Sequence, residues 1–184
     1  MTPFRTLAAL ALCLLAVPAL AQGMDDAENT EAPASPVIAT LAGIHGMTSG
    51  NIMATAEMLD DEMYAYQPTE EVRSAGRILA HIANAQYFFC AAAAGEDSPN
   101  AENLEETATT KAEITAALGA AFAYCQGVYD AMTDAQGAEM REFFGRQMAA
   151  SGILAFNTTH NYEHYGNLVT YMRLNDMTPP SSMQ

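Results

Sequence analysis

Residues 156–174 read as one helix, and two histidines in it limit how that helix can be packed. Successive helical residues turn by about 100°, so His160 and His164 share a face, one turn apart. Phe156, Asn167, Tyr171 and Leu174 fall on nearly the same face, which directs the pair toward an interior. Two imidazoles so placed can share a metal ion, and one donor from another element would complete a three-histidine site. The competing arrangement is a pair of core histidines, each satisfied by its own hydrogen bond.

Three further segments carry helical periodicity. Over residues 38–59, Leu41, Ile44, Ile52, Ala56 and Leu59 recur at helical spacing, weakened by Gly43, Gly46 and Gly50. His45 lies in this first helix and reads as structural or surface-exposed. A connector over 60–73 brings Tyr64, Tyr66 and Pro68 to the end of the bundle. Ser74 then caps a second helix reaching about residue 94, with Ile78, His81, Ile82, Ala85, Phe88 and Phe89 on its core face. His81 is the natural third imidazole, and Asn84, one turn on, is placed to orient a ligand or a water. Residues 95–109 read as a loop. Thr110-Lys-Ala-Glu113 matches a capping box and opens a third helix to about residue 132, striped by Ile114, Ala117, Leu118, Ala121, Cys125, Val128 and Met132. A polar connection with Phe143 and Phe144 tucked beneath it leads to the fourth helix, 147–174. With no strand expected, the fold class is all-α, a four-helix bundle.

Part of the topology follows from lengths. The 15 residues of 95–109 span roughly 50 Å when extended. That is enough to return along a helix of about 30 Å and begin the next one parallel. Cys90 follows Ser74 by 16 positions and Cys125 follows Thr110 by 15, so parallel helices put both thiols at one level. Antiparallel helices would offset them by roughly 15 Å, beyond the Cα separation of about 7 Å that a disulfide bridges. The second and third helices are therefore expected to be parallel and joined by Cys90–Cys125.

The chain's start has the pattern of an export signal: Arg5 in a short basic region, an apolar run from Leu7 to Leu20, and Ala19-Leu20-Ala21 as the cleavage site. Residues 1–21 are thus expected to be removed, 22–37 to form a flexible acidic leader and 38–184 to fold, in a bacterial periplasm or outside the cell. Cleavage removes Arg5 and leaves 6 basic against 22 acidic residues, a formal net charge of −16. Such a surface repels nucleic acid and anionic lipid, so neither is an expected partner. Cys13 is expected to leave with the signal, the remaining pair in an oxidising compartment fits a disulfide, and without CxxC spacing a cysteine-based zinc or redox motif has no support. Asn157-Thr-Thr matches a glycosylation sequon but lies inside a helix of an exported bacterial chain, and is discounted.

A site of His81, His160 and His164 offers three neutral nitrogens and leaves a position open to water or substrate, the mark of a catalytic rather than a structural centre. Zinc, nickel and iron all suit imidazole, so ligand type does not choose among them. Glu163 and Asn167 flank the pair on the helical wheel as candidate supporting groups. His160-Asn-Tyr-Glu163-His164 also fits the HxxEH pattern of certain zinc peptidases, but those need a larger α/β framework.

Over about residues 38–182 the chain resembles the DinB-like (DinB/YfiT) superfamily of metal-binding four-helix bundles. The likeness is carried by Gln67-Pro-Thr-Glu-Glu-Val-Arg-Ser74, by Arg77-Ile-Leu-Ala-His81-Ile-Ala-Asn-Ala-Gln86, and by His160-Asn-Tyr-Glu-His164-Tyr-Gly-Asn-Leu-Val-Thr-Tyr171 with its Pro179-Pro180 tail. The resemblance implies an up-down-down-up bundle and a divalent ion on His81, His160 and His164. Some relatives are thiol-dependent S-transferases or isomerases, and many have no assigned reaction. The expected protein is an exported metalloprotein with a small-molecule substrate, a hydrolase or thiol transferase. The alternative is a non-enzymatic metal- or ligand-binding stress protein. A homodimer is compatible with either.

Overall fold

The computed structural model describes residues 34–183. The expected signal segment and most of the leader lie outside them. Among the described residues seven α-helices and one hairpin follow in order, α1 Pro36–Met58, α2 Asp61–Ala65, α3 Ala75–Ala94, α4 Leu104–Thr107, α5 Lys111–Ala131, α6 Asp134–Gly137, β1 Met140–Phe143, β2 Arg146–Ala149 and α7 Ala150–Leu174, before a 3-10 turn at Pro180–Ser182. The long helices α1, α3, α5 and α7 make the bundle. No described helix is long and apolar enough to cross a membrane.

The helix limits have local causes. The Ser74 hydroxyl accepts from the Arg77 amide to open α3. Gly95, with φ of 77°, ends it in the left-handed conformation that spares a glycine the Cβ clash. Thr110 and Glu113 form the expected capping box on α5. The start of α1 is capped from far along the chain, because the Asp134 carboxylate accepts from the amides of Val37 and Ile38. That long-range cap starts α1 at Pro36, two residues before the expected onset.

Contacts at both ends set the helix directions. Gly76 meets Ile114 near the starts of α3 and α5, and Cys90 meets Cys125 near their ends, so these two helices are parallel. The cysteine Cα atoms stand 5.4 Å apart, at disulfide distance. The α7 helix opposes α3, since its Tyr171 reaches the Arg73 carbonyl while its Phe156 packs on Phe89. Ile38 and Ser151 both border Gly137, bringing the starts of α1 and α7 together. The order is up-down-down-up. Two apolar clusters fill the interior, one around Leu79, Ile82, Leu118 and Leu168, the other around Phe89, Cys125, Ile153 and Leu154. Each fully buried leucine or isoleucine contributes about 1.5–3 kcal/mol.

Several expectations are corrected. Residues 140–149 form a β-hairpin where no strand was expected, in register Met140↔Ala149 to Phe143↔Arg146. Its strands pair only with each other, and the turn lacks an Asn-Gly signal. The fourth helix therefore begins at Ala150 rather than at 147. Phe143 is buried but Phe144 is not, because adjacent strand and turn residues point to opposite sides. Phe88, Phe156, Asn167 and Leu174 also lie on exposed sides of their helices, leaving Tyr171 as the inward neighbour of the histidine pair. The buried face of α7 is narrower than the wheel implied. Tyr129, absent from the expected α5 stripe, is buried and donates to the Leu154 carbonyl.

Candidate metal centre

Antiparallel packing of α3 against α7 brings His81 onto the His160–His164 face. The His160 Nε2 lies 3.2 Å from the His81 Nε2 and 3.1 Å from the His164 Nε2. Two ligands about 2.0–2.1 Å from one tetrahedral ion stand about 3.3 Å apart, so these two separations suit a shared cation, and the three donor atoms together lie within 4.8 Å of one another. Hydrogen bonding alone fits less well: one proton at His160 Nε2 must serve two lone pairs, whereas a cation accepts all three. These three side chains form a cluster able to hold a metal ion.

Burial, reinforced by the neighbouring imidazoles, pushes the His160 pKa down to about 3 and that of His164 down to about 4. Both are neutral at pH 7, with a lone pair free for coordination.

Glu105 is the participant that the sequence did not reveal. It sits on α4, within the stretch read as loop, and its Oε1 accepts from His81 Nδ1 at 2.7 Å. Its other oxygen accepts from Arg73 Nε at 2.9 Å. Burial opposes charge on Glu105, but hydrogen bonds from Arg73 and His81 outweigh it and hold the carboxyl below its usual range. An ionised Glu105 fixes the proton of His81 on Nδ1 and leaves the Nε2 lone pair facing the cluster. The sequence signalled only the short helix, through Asn103-Leu-Glu-Glu, in which Asn103 caps α4 by accepting from the Glu105 amide.

Asn84, expected beside the ligands, holds this turn instead. Its Oδ1 accepts from the Leu104 amide and its Nδ2 donates to Asn103, both at 2.9 Å. Glu163 is exposed and acts on the cluster only through its charge, which opposes the lowering at His164. Asn167 is exposed on α7. A cavity of about 670 Å³ adjoins Glu105 on its far side, lined by Tyr64, Arg77 and Lys111, and no histidine borders it.

One turn deeper lies a second polar group. Gln86 and Asn157 exchange amide hydrogen bonds of 2.9 and 3.0 Å. Gln86 also donates to Asn161 Oδ1 at 2.7 Å and accepts from His45 Nε2 at 2.9 Å. All four are buried, so the Asn157 sequon is inaccessible, and burial lowers the His45 pKa. His45 is thus a structural histidine.

The DinB superfamily model matches residues 47–168, which include all three clustered histidines. The chain therefore belongs to the DinB superfamily, a class of helical proteins. It is 27% identical over 126 residues to the uncharacterized protein YjoA of Bacillus subtilis strain 168, covering 64% of this chain and 77% of YjoA. The crystal structure of that DinB-like protein matches with a TM-score of 0.62 at 21% identity, over 76% of this chain and 93% of that one. A DinB-like protein from Bacillus cereus ATCC 10987 matches with a TM-score of 0.68 at 19% identity, over 78% and 95% of the two chains. At these identities the two structures speak for the fold.

Proposed function

We propose that the protein is an exported divalent-metal protein whose ion is held by His81, His160 and His164, and that it is a hydrolase or thiol transferase acting on a small molecule. The observation that carries the metal reading is the convergence of three Nε2 atoms, with neighbouring separations of 3.1 and 3.2 Å. A divalent ion there supplies Lewis-acid activation of a water or a thiol. The chain's own residues do the rest. His160 and His164 stay neutral through burial, Glu105 orients His81, and Arg73 anchors Glu105. Zinc, nickel and iron remain equal candidates on ligand type. Export is supported by the start of the sequence and by the cysteine pair at disulfide distance.

The test is elemental analysis of untagged wild-type protein and of His164→Ala. One divalent ion per wild-type chain, lost in the variant, is expected. A wild type without a stoichiometric ion, and with an unchanged melting temperature on chelation, overturns the reading. Stoichiometric metal without turnover on esters, amides or thiol adducts shifts the conclusion to a non-enzymatic binding protein.

A further inference from the structure

Five phenylalanines from three elements form a continuous wall beside the histidines. Phe89 packs edge-on against His160 with ring centroids 5.2 Å apart, and against Phe156 at 5.3 Å. Phe144 continues the wall at 6.3 Å from Phe156 and 5.6 Å from Phe88. Phe89 and Phe143 are buried and anchor it. Phe88, Phe144 and Phe156 are 47%, 65% and 41% exposed. Single exposed aromatics are ordinary, whereas a contiguous exposed group marks a place where something binds.

The turn that carries Phe144 supplies an independent observation. A two-residue hairpin turn with positive φ at both central positions favours Asn-Gly or Asp-Gly. Here the pair is Phe144-Gly145, with φ of 50° and 70°. A bulky residue is disfavoured in that conformation, and this ring stays mostly in solvent. Its contacts with Phe143 at 4.3 Å and with Phe88 hold the ring on the wall, so a residue disfavoured in the turn is kept where it extends the exposed aromatic face.

The wall's position narrows the occupant. Phe89 joins it to the His160 ring, and the exposed Phe156 and Phe88 stand one turn from His160 on α7 and two turns from His81 on α3, on the faces that carry the donors. The Arg73 and Arg77 guanidinium groups gather around Glu105 behind His81, and a bound divalent ion would add further positive charge. That end suits an anionic head, and the rings suit an apolar tail. A flat contact between two copies of the chain would make no use of the donors.

Resting on the metal reading above, we infer that Phe88, Phe144 and Phe156 form a tail-binding subsite, and that the ligand is a small molecule with an anionic metal-seeking head and an aryl or medium-length alkyl tail. The experiment titrates zinc-loaded protein with acetohydroxamate and 3-phenylpropanohydroxamate, which share a head and differ in the tail. Wild type is expected to bind the aryl compound about tenfold more tightly. Phe144→Asn removes the ring while suiting the turn. Its melting temperature should not fall, its acetohydroxamate affinity should hold, and its preference for the aryl compound should drop to about threefold or less. Phe156→Ala should lower the preference in the same direction.

Equal affinities in wild type, or a preference unchanged in both variants, overturn the proposal. A wild-type dimer that dissociates in Phe144→Asn, with the preference unchanged, assigns the wall to a contact between copies and also overturns it. Failure to take up zinc overturns the metal reading and the subsite with it. Zinc uptake with equal affinities overturns the subsite alone.

Discussion

Two polar groups lie one turn apart where α3 packs on α7, the inner one completed by His45 of α1, and they differ in nearly every physical respect. The inner group, His45, Gln86, Asn157 and Asn161, is sealed between the apolar clusters and bonded largely to itself. In the outer group His81 and His160 are part-exposed and His164 is buried, and their ring nitrogens face one another. In the inner group a histidine donates to an amide oxygen and its role is complete. In the outer group only His81 is oriented by an acceptor outside the cluster, Glu105, and three lone pairs converge. Burial lowers the pKa of His45, His160 and His164 alike, so the direction of that shift does not mark the candidate site. Convergence of donors does.

Breaking the inner group should have the largest effect on stability. Gln86→Leu leaves Asn157, Asn161 and His45 without their shared partner and should cost about 3–5 kcal/mol. It should leave metal stoichiometry at the wild-type value, and a denaturant melt with elemental analysis checks both. A loss of metal in this variant would merge the two groups into one.

Reduction of Cys90–Cys125, which closes a loop across a sequence separation of 35, should cost about 3–4 kcal/mol. Melting under dithiothreitol should then show a fall of about 10 °C. Asn157 Nδ2 lies 3.2 Å from the Cys125 Sγ, so this loss is felt first in the inner group.

In the outer group, Glu105→Gln should weaken metal affinity about 10–100-fold, because the carboxylate that orients His81 is gone. Competition with a chromophoric chelator measures it. The melting temperature of the metal-free protein should change by no more than about 3 °C.

Comparable in size to the loss of the disulfide is the acid lability of the metal-free protein. In the unfolded chain the imidazoles titrate near 6.5, whereas His160 and His164 do so at about 3 and 4 when folded. Between those values the unfolded state binds more protons, so stability falls as pH drops from about 6.5 toward 4 and is flat above 6.5. A fall of about 10 °C in melting temperature from pH 7 to pH 5 is expected. His45→Gln should remove only the part of this slope that belongs to the inner group.

Much of the bundle was legible along the chain. The caps at Ser74 and Thr110 involve residues three apart, and the parallel α3–α5 pair followed from a loop length and two cysteine positions. The three histidines were legible because their spacing and faces belong to single helices. The hairpin was not, since Met140-Arg-Glu-Phe143 alternates weakly and its pairing depends on a turn built from Phe144-Gly145. Glu105 was hidden in a polar loop, because nothing local distinguishes a carboxylate that will meet an imidazole 24 positions earlier.

His160 and His164 on one helical face, the starting observation, were thus determined by the sequence alone, because a helix repeats at a fixed angle per residue. The tertiary structure decided what surrounds them: Glu105 behind His81, the wall of phenylalanines beside His160, and the separate fate of His45. Those contacts join residues far apart in the chain, and only the packing of α1, α3, α4, α7 and the hairpin sets them.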